Sequence, residues 1–465
     1  MVFSSFVFIS IFFPAVYLIN RCLPVKASNW FLLLASLLLY AWGEPVYVLV
    51  LLACAVGNYA IALLIDRHRR LGLWLALLMN LGVLCGFKYT DFILSNINVL
   101  LGTVIPMTGV RMPLGISFFT FQAMSYVIDV YRGECRPQRS FPKLLLYIAL
   151  FPQLIAGPVV KYHEIEEQLT SRHASLDDTL QGARRFIVGL GKKVLISNAL
   201  AVTADSVFNA APGLVNMPLA WLGAVSYALQ IYFDFSGYTD MAIGMGRMMG
   251  FRFPENFLYP YAACTMQEFW RRWHVSLSSW FRNYVYIPLG GNRKGKTRAI
   301  VNRIIVFFLT GLWHGASWNF VLWGLGNGLA LMLESSGALP VKKLRGKWRA
   351  LGHVYVCFCF VMLFVIFRAD TLPQAGAMYA QMFAGFTNTP AQQLLLAQSL
   401  NGSAGATLIA AALCAMPWKN WCAAKQWFGS GAVQTVLYIA SLGILWLSLM
   451  SLASQAYNPF IYFRF

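Results

Sequence analysis

The chain has 465 residues, of which 58% are hydrophobic and only 11% charged, against about 25% charged in an ordinary soluble domain, so water is excluded as its main solvent. Thirty-six Lys and Arg against 17 Asp and Glu give a formal net charge of +19, which in a soluble protein would point to nucleic acid. Here the cations sit in short loops between apolar stretches, as in DRHRR at 66–70 and VKKLRGKWR at 341–349. That is the positive-inside pattern: it orients a protein in a lipid bilayer, and no nucleic acid partner is expected.

In chain order, apolar stretches fall near 3–20, 29–42, 45–65, 71–87, 91–107, 113–130, 144–160, 183–205, 217–250, 299–335, 352–368, 404–418 and 433–454. They predict an all-α, polytopic integral membrane protein with roughly eleven to fourteen transmembrane or re-entrant helices, forming a single membrane domain over 1–465. Stretch 29–42 is short for a simple crossing, whereas 217–250 and 299–335 are long enough for two segments or one broken helix. The first stretch has no basic region before it and no small-residue cleavage signal before Arg21, so it is read as a retained span. Arg21 and Lys26 after the first span and Arg67, Arg69 and Arg70 after the third place the N-terminus outside. No internal repeat is visible. The nine cysteines are odd in number, form no Cys-x-x-Cys pair and lie mostly in apolar stretches, which argues against a disulfide framework or zinc knuckle.

Two polar or amphipathic surface segments interrupt the domain, 161–182 and 251–298. Ionisable groups inside apolar stretches are costly and must be paired or functional. Asp129 lies beside Arg132 and is read as a local structural pair. Asp234, Asp240 and Arg247 lie in IYFDFSGYTDMAIGMGRMMG, with Asp240 and Arg247 the expected pair. Within 265–298, Trp270, Trp273, His274, Leu277, Trp280, Phe281 and Tyr284 recur at helical spacing, which predicts an interfacial amphipathic helix carrying a histidine on its buried face. The loop PLGGNRKGKTR follows, where Arg293, Lys294 and Lys296 stand among glycines. It is either a plain cytoplasmic loop or a cradle for the phosphates of a coenzyme A donor.

Of six histidines, His314 is the most isolated. It lies eleven residues after Arg303 and twenty before Glu334, about 16 Å into a 30 Å hydrocarbon core at 1.5 Å per residue. Burial keeps such an imidazole neutral, the form that takes a proton from a hydroxyl, so general base is the role its setting suits. The bland alternative is a histidine hydrogen-bonded between helices. Gly311 and Gly315 either leave room for a substrate or permit close helix packing. Two histidines without further ligands are short of a metal site, and none is expected. Neither a Walker loop nor a Gly-x-Ser-x-Gly elbow is present.

The segments YFDFSGYTDMAIG (232–244), FWRRWHVSLSSWFRNYVYIPLGG (269–291) and GLWHGASWNFVLWG (311–324), together with MVFSS, PLGISFFTFQ, FPQLIAGPV and NPFIYFRF, resemble the membrane-bound O-acyltransferase family. The resemblance is greatest to its bacterial alginate O-acetyltransferase branch. It implies helices around a central funnel, His314 as the catalytic histidine and His274 as the second motif histidine. It also implies acetyl groups carried from a cytoplasmic donor, acetyl-CoA, across the bacterial inner membrane to an exported polysaccharide. The partners implied are the lipid bilayer, a periplasmic SGNH-type esterase-like protein and the polysaccharide export machinery. On this reading His314 takes the acceptor proton while His274 positions substrate or stabilises developing negative charge, with Trp313, Trp318 and Asn319 as possible oxyanion donors. Asn283 departs from the aspartate expected in that motif. Alginate leads the substrate expectation, with cellulose, another exopolysaccharide or peptidoglycan as alternatives. A proton-coupled transporter or a non-catalytic scaffold of a polysaccharide synthase is the reading from a different class.

Overall fold

A computed structural model describes residues 3–155, 157–344, 346–423, 430–454 and 461. Of the opening MVFSS motif residues 3–5 are described, whereas of the closing NPFIYFRF motif only Ile461 is. Among the described residues there are helices, turns and loops but no strand. The helices needed below are α1 (Val48–Ile65), α2 (Arg69–Lys88), α3 (Ile116–Arg132), α4 (Leu176–Gly191), α5 (Asn198–Phe208), α6 (Met217–Met248), α7 (Met266–Arg272), α8 (Val275–Phe281), α9 (Gly295–His314), α10 (Trp318–Ser336) and α11 (Arg349–Arg368). Six helices are long and apolar enough to cross a membrane, or seven if the bent pair Pro390–Ser399 and Gly402–Cys414 is one span. That is fewer than the apolar stretches in the sequence. In particular, α3 has 17 residues, and α6 buries Ser226, Gln230, Asp234, Ser236 and Thr239, polar groups that lipid would not tolerate.

The chain forms two compact units, one of Met1–Phe186 with Thr239–Glu255, the other of Ile187–Tyr238 with Asn256–Phe465. In the first, α1, α2 and α3 pack together. Asn58 and Asn80, both fully buried, exchange side-chain amide hydrogen bonds of 3.0 and 2.8 Å between α1 and α2, a polar clasp of the kind that joins apolar helices in lipid. Here too the charges of 161–182 find partners. Asp178 accepts from Arg247 at 3.1 Å and Arg252 at 2.6 Å, while Arg185 reaches Asp240 at 2.8 Å and Glu255 at 2.5 Å. The expected Asp240–Arg247 pair is thus not formed. Seven residues separate the two along α6, about 10 Å of rise, and α4 approaches closely enough to supply a nearer partner. Its Gly182 lies against Gly244, where a Cβ on either would meet the other's carbonyl oxygen.

In the second unit, α4 runs through a π-helical turn, Lys192–Ser197, into α5. Lys193 in that turn meets Asp234 at 2.5 Å, both side chains 2% exposed, and the backbone N–H of Ile461 donates to the other Asp234 oxygen at 3.0 Å. A desolvated pair with its remaining oxygen satisfied is costly to break from either side. Helices α9 and α10 form a hairpin packed backbone to backbone: a Cβ on Gly311 would strike the carbonyl oxygen of Phe320, and one on Gly324 that of Phe307. Close packing therefore accounts for Gly311.

Candidate active site

The expected amphipathic helix over 270–284 is broken in two. Helix α7 starts where Glu334 of α10 accepts from the backbone N–H groups of Met266 and Gln267, at 2.5 and 3.2 Å. A carboxylate there satisfies free N–H groups and meets the positive end of the helix. The helix ends at Arg272, and His274 takes φ 44° and ψ 53° before α8 begins. Left-handed backbone is strained for a histidine, and such strain clusters at functional sites. The apolar residues of the stripe are buried in the core of the second unit, with Trp270, Trp273, His274 and Leu277 no more than 9% exposed, so this face is not laid on a membrane surface.

His274 is held in one tautomer. Its Nδ1 lies 3.1 Å from Oδ1 of Asn256, an oxygen that already accepts from the backbone N–H and hydroxyl of Ser276, at 3.2 and 2.9 Å. The N–H donor fixes that atom as the amide oxygen, so Nδ1 carries the proton and Nε2 the lone pair. His274 lies between the helices, and burial pushes its pKa down to about 3, which keeps the ring neutral. Nε2 is buried without a hydrogen-bond partner. A lone pair cannot donate to an oxyanion, so of the two roles expected of His274, positioning is the one its tautomer suits.

His314 is the last residue of α9 rather than a mid-helix residue. Its ring is walled by those of Trp313, Trp323 and Phe367, at 4.9, 5.0 and 5.1 Å between centroids, and His274 meets Trp313 at 5.9 Å. The space left beside His314 is about 10 Å³, about the least that holds one water molecule. The second unit also holds two larger cavities. An inner cavity of about 280 Å³ is lined by Trp270, Phe281, Phe307 and the arginines 271, 282 and 303. An outer one of about 360 Å³ is lined by Gly315, Ser317, Phe367, Arg368 and Asp370. The inner cavity shares Trp270 with a ring contact to Trp323 at 5.9 Å, and the outer cavity shares Phe367 with the wall of the His314 site.

Arg293, Lys294 and Lys296 are exposed in the glycine turn and do not line the inner cavity, although Asn292 does. The cavity's own arginines were passed over in the sequence because 271 and 282 sit on the polar faces of short helices, where solvated charge is the ordinary case. Asn283, the position that departs from the motif, accepts from Nε of Arg282 at 3.2 Å. The amide of Asn319, one of the candidate oxyanion donors, is committed elsewhere: it donates to the carbonyl of Ala369 at 2.7 Å and so ties the start of α10 to the end of α11. Asp129 lies 2.9 Å from Nδ1 of His163 in the first unit, far in sequence from either motif histidine.

The model of the membrane-bound O-acyltransferase family matches residues 130–338, a span that includes both His274 and His314. Over its full length the chain is 37% identical to the whole of a Pseudomonas putida protein named Probable alginate O-acetylase AlgI. It is 41% identical to the protein of that name from Pseudomonas aeruginosa, over 83% of this chain and 75% of the other. A Peptidoglycan O-acetyltransferase of Helicobacter pylori is 36% identical over 81% of this chain and 78% of its own length. The chain belongs to the membrane-bound O-acyltransferase family and is a multi-pass membrane O-acyltransferase.

Proposed function

We propose that the chain is an O-acetyltransferase of the bacterial inner membrane. It moves acetyl groups from cytoplasmic acetyl-CoA to a hydroxyl on the outer side, for O-acetylation of an exported polysaccharide, alginate in the first instance. The observation that carries this reading is His314, ringed by Trp313, Trp323 and Phe367 in the same unit as an arginine-lined cavity and a second cavity that shares Phe367 with its wall. Helices α9 and α11 both begin at basic loops and end at His314 and Arg368, so the positive-inside rule assigns the arginine-lined cavity to the cytoplasm and the other to the outside.

Three arginines beside apolar walls suit a donor with phosphates at one end and a pantetheine-like chain at the other. The exposed Arg293, Lys294 and Lys296 would meet the same anion on its approach. The acceptor oxygen attacks the acetyl carbonyl carbon, its proton passes to His314, the carbon–sulfur bond breaks, and the proton returns to the departing thiolate. His274 holds the acceptor or the site in register through its fixed lone pair. A periplasmic SGNH-type partner is the further component we assign to the route outside the membrane. The relatives named for alginate and for peptidoglycan support a polysaccharide as the final acceptor.

The test is the O-acetyl content of each exported polysaccharide, read by NMR, in wild type and in His314→Ala at matched membrane levels. Loss of acetyl from one polymer supports the reading and names the polymer. Unchanged acetylation of every polymer removes His314 as the base.

A further inference from the structure

The small space beside His314 has walls that the acyl-transfer reading leaves without a role. Besides Trp323 and Phe367 it is lined by Trp273 and Phe235, by Phe364 of α11 and by Ile231 of α6. Ile231 is 5% exposed and Phe364 3%, so neither side chain has solvent to swing into. The Phe364 ring stands edge-on to Phe367 at 5.9 Å and tilted against Trp273 at 5.5 Å, between centroids. The space of about 10 Å³ is room for about one water molecule, but a buried water takes two to four polar partners. Ile231, Phe235, Phe364 and Phe367 offer none, so the walls favour an apolar occupant of similar size.

Three groups meet at the base during acyl transfer: the acceptor hydroxyl, the thioester sulfur and the methyl of the acyl group. The hydroxyl and the sulfur each continue into a molecule far larger than this space and need an open route away from the histidine. The methyl is a chain end, one bond from the carbon that is attacked, and it alone is apolar. Resting on the acyl-transfer reading, we propose that this space is the pocket for the acyl methyl, and that Ile231 and Phe364 set the length of acyl group the enzyme accepts. Two carbons enter, and a longer chain is refused because an extra methylene has to push packed rings off their preferred rotamers. A pocket of this kind discriminates by about 10–200-fold per methylene. The bonds made and broken are the same for any acyl thioester; the pocket decides which one reaches the histidine.

The experiment uses inverted inner-membrane vesicles of a host expressing the full chain, whose cytoplasmic face is turned outward, supplied with an equimolar mixture of acetyl-CoA, propionyl-CoA and butyryl-CoA. Ester-linked acyl groups are released with mild base and their ratio is read by mass spectrometry, with vesicles lacking the chain as background. Competition in one mixture reports the ratio of kcat/KM values, whatever fraction of the protein is folded. Wild type is expected to favour acetyl over propionyl by about tenfold or more, and over butyryl by more still. Ile231→Val removes one methylene and should raise the propionyl share by about tenfold. Ile231→Ala and Phe364→Leu should admit butyryl as well. A wall residue of purely structural value would lower all three products together and leave their ratio unmoved.

Equal use of acetyl and butyryl by wild type, with His314→Ala inactive, overturns this proposal alone. So does an acyl ratio that stays at the wild-type value in Ile231→Val, Ile231→Ala and Phe364→Leu. Transfer at the wild-type level by His314→Ala, or none from any of the three thioesters in wild type, removes the acyl-transfer reading beneath it and the methyl pocket with it.

Discussion

The inner and outer cavities of the second unit are both lined by arginine, yet the arginines keep different company. Arg271, Arg282 and Arg303 make no ion pair with any described residue, and the neighbour of Arg282 is the neutral amide of Asn283. Arg368 stands between Asp205 and Asp370. An uncompensated cation beside apolar walls attracts a polyanion, whereas a neutralised one offers hydrogen bonds with direction and little net field. The same residue type can thus present a net field in one cavity and directed hydrogen bonds in another, and the carboxylates around it decide which.

The comparison breaks most completely if His314, which lines a small space with Trp323 and Phe367, is not the base. His314→Ala is expected to lower acetyl transfer by about 10²–10⁴-fold, measured as labelled acetyl transferred per enzyme in membranes. Removing the inner cations is the next largest effect. The double variant Arg282→Gln, Arg303→Gln should raise the donor KM by about tenfold or more while the acceptor KM stays put, and added salt should reproduce part of the loss in wild type. Asn283→Asp sharpens the contrast from the other direction. A carboxylate beside Arg282 makes the inner arginine resemble Arg368, so a rise of a few-fold in donor KM is expected by kinetic titration.

The gentlest prediction is a slope. The pKa of folded His274 lies near 3, below its ordinary value of 6.5, so the unfolded chain binds the extra proton first as pH falls. Stability from this residue is complete above about pH 6.5 and is lost progressively on the way down, at no more than about 1.4 kcal/mol per pH unit. Thermal unfolding in detergent between pH 7 and pH 4 should show a shallower acid loss in His274→Gln than in wild type.

Much of this was legible in the sequence, and the reasons are local. His314 stood out because apolar neighbours on both sides make an ionisable group conspicuous, and His274 because it sat within an aromatic stripe, on the face expected to be buried. Gly311 beside His314 signalled close approach without saying to what; the partner turned out to be the backbone of Phe320 across the hairpin. What periodicity missed was the break at His274, since a spacing of three and four survives when one residue turns left-handed between two short helices. Pairings over long separations were also beyond reach. Lys193 with Asp234 and Arg368 with Asp205, 163 residues apart, depend on which helices meet, and local spacing favoured the wrong partner for Asp240.

The crowding of Trp313, Trp323 and Phe367 around His314 has a consequence for the cell as well as for the reaction. A protein with an opening toward each compartment is one continuous water file away from being a leak, and each elementary charge crossing a resting membrane releases about 2.3 kcal/mol per 100 mV. The space beside the histidine is about 10 Å³, room for about one water molecule. On the proposed reading, such an aromatic plug would let a proton be exchanged at one imidazole while keeping a continuous water file from forming past it.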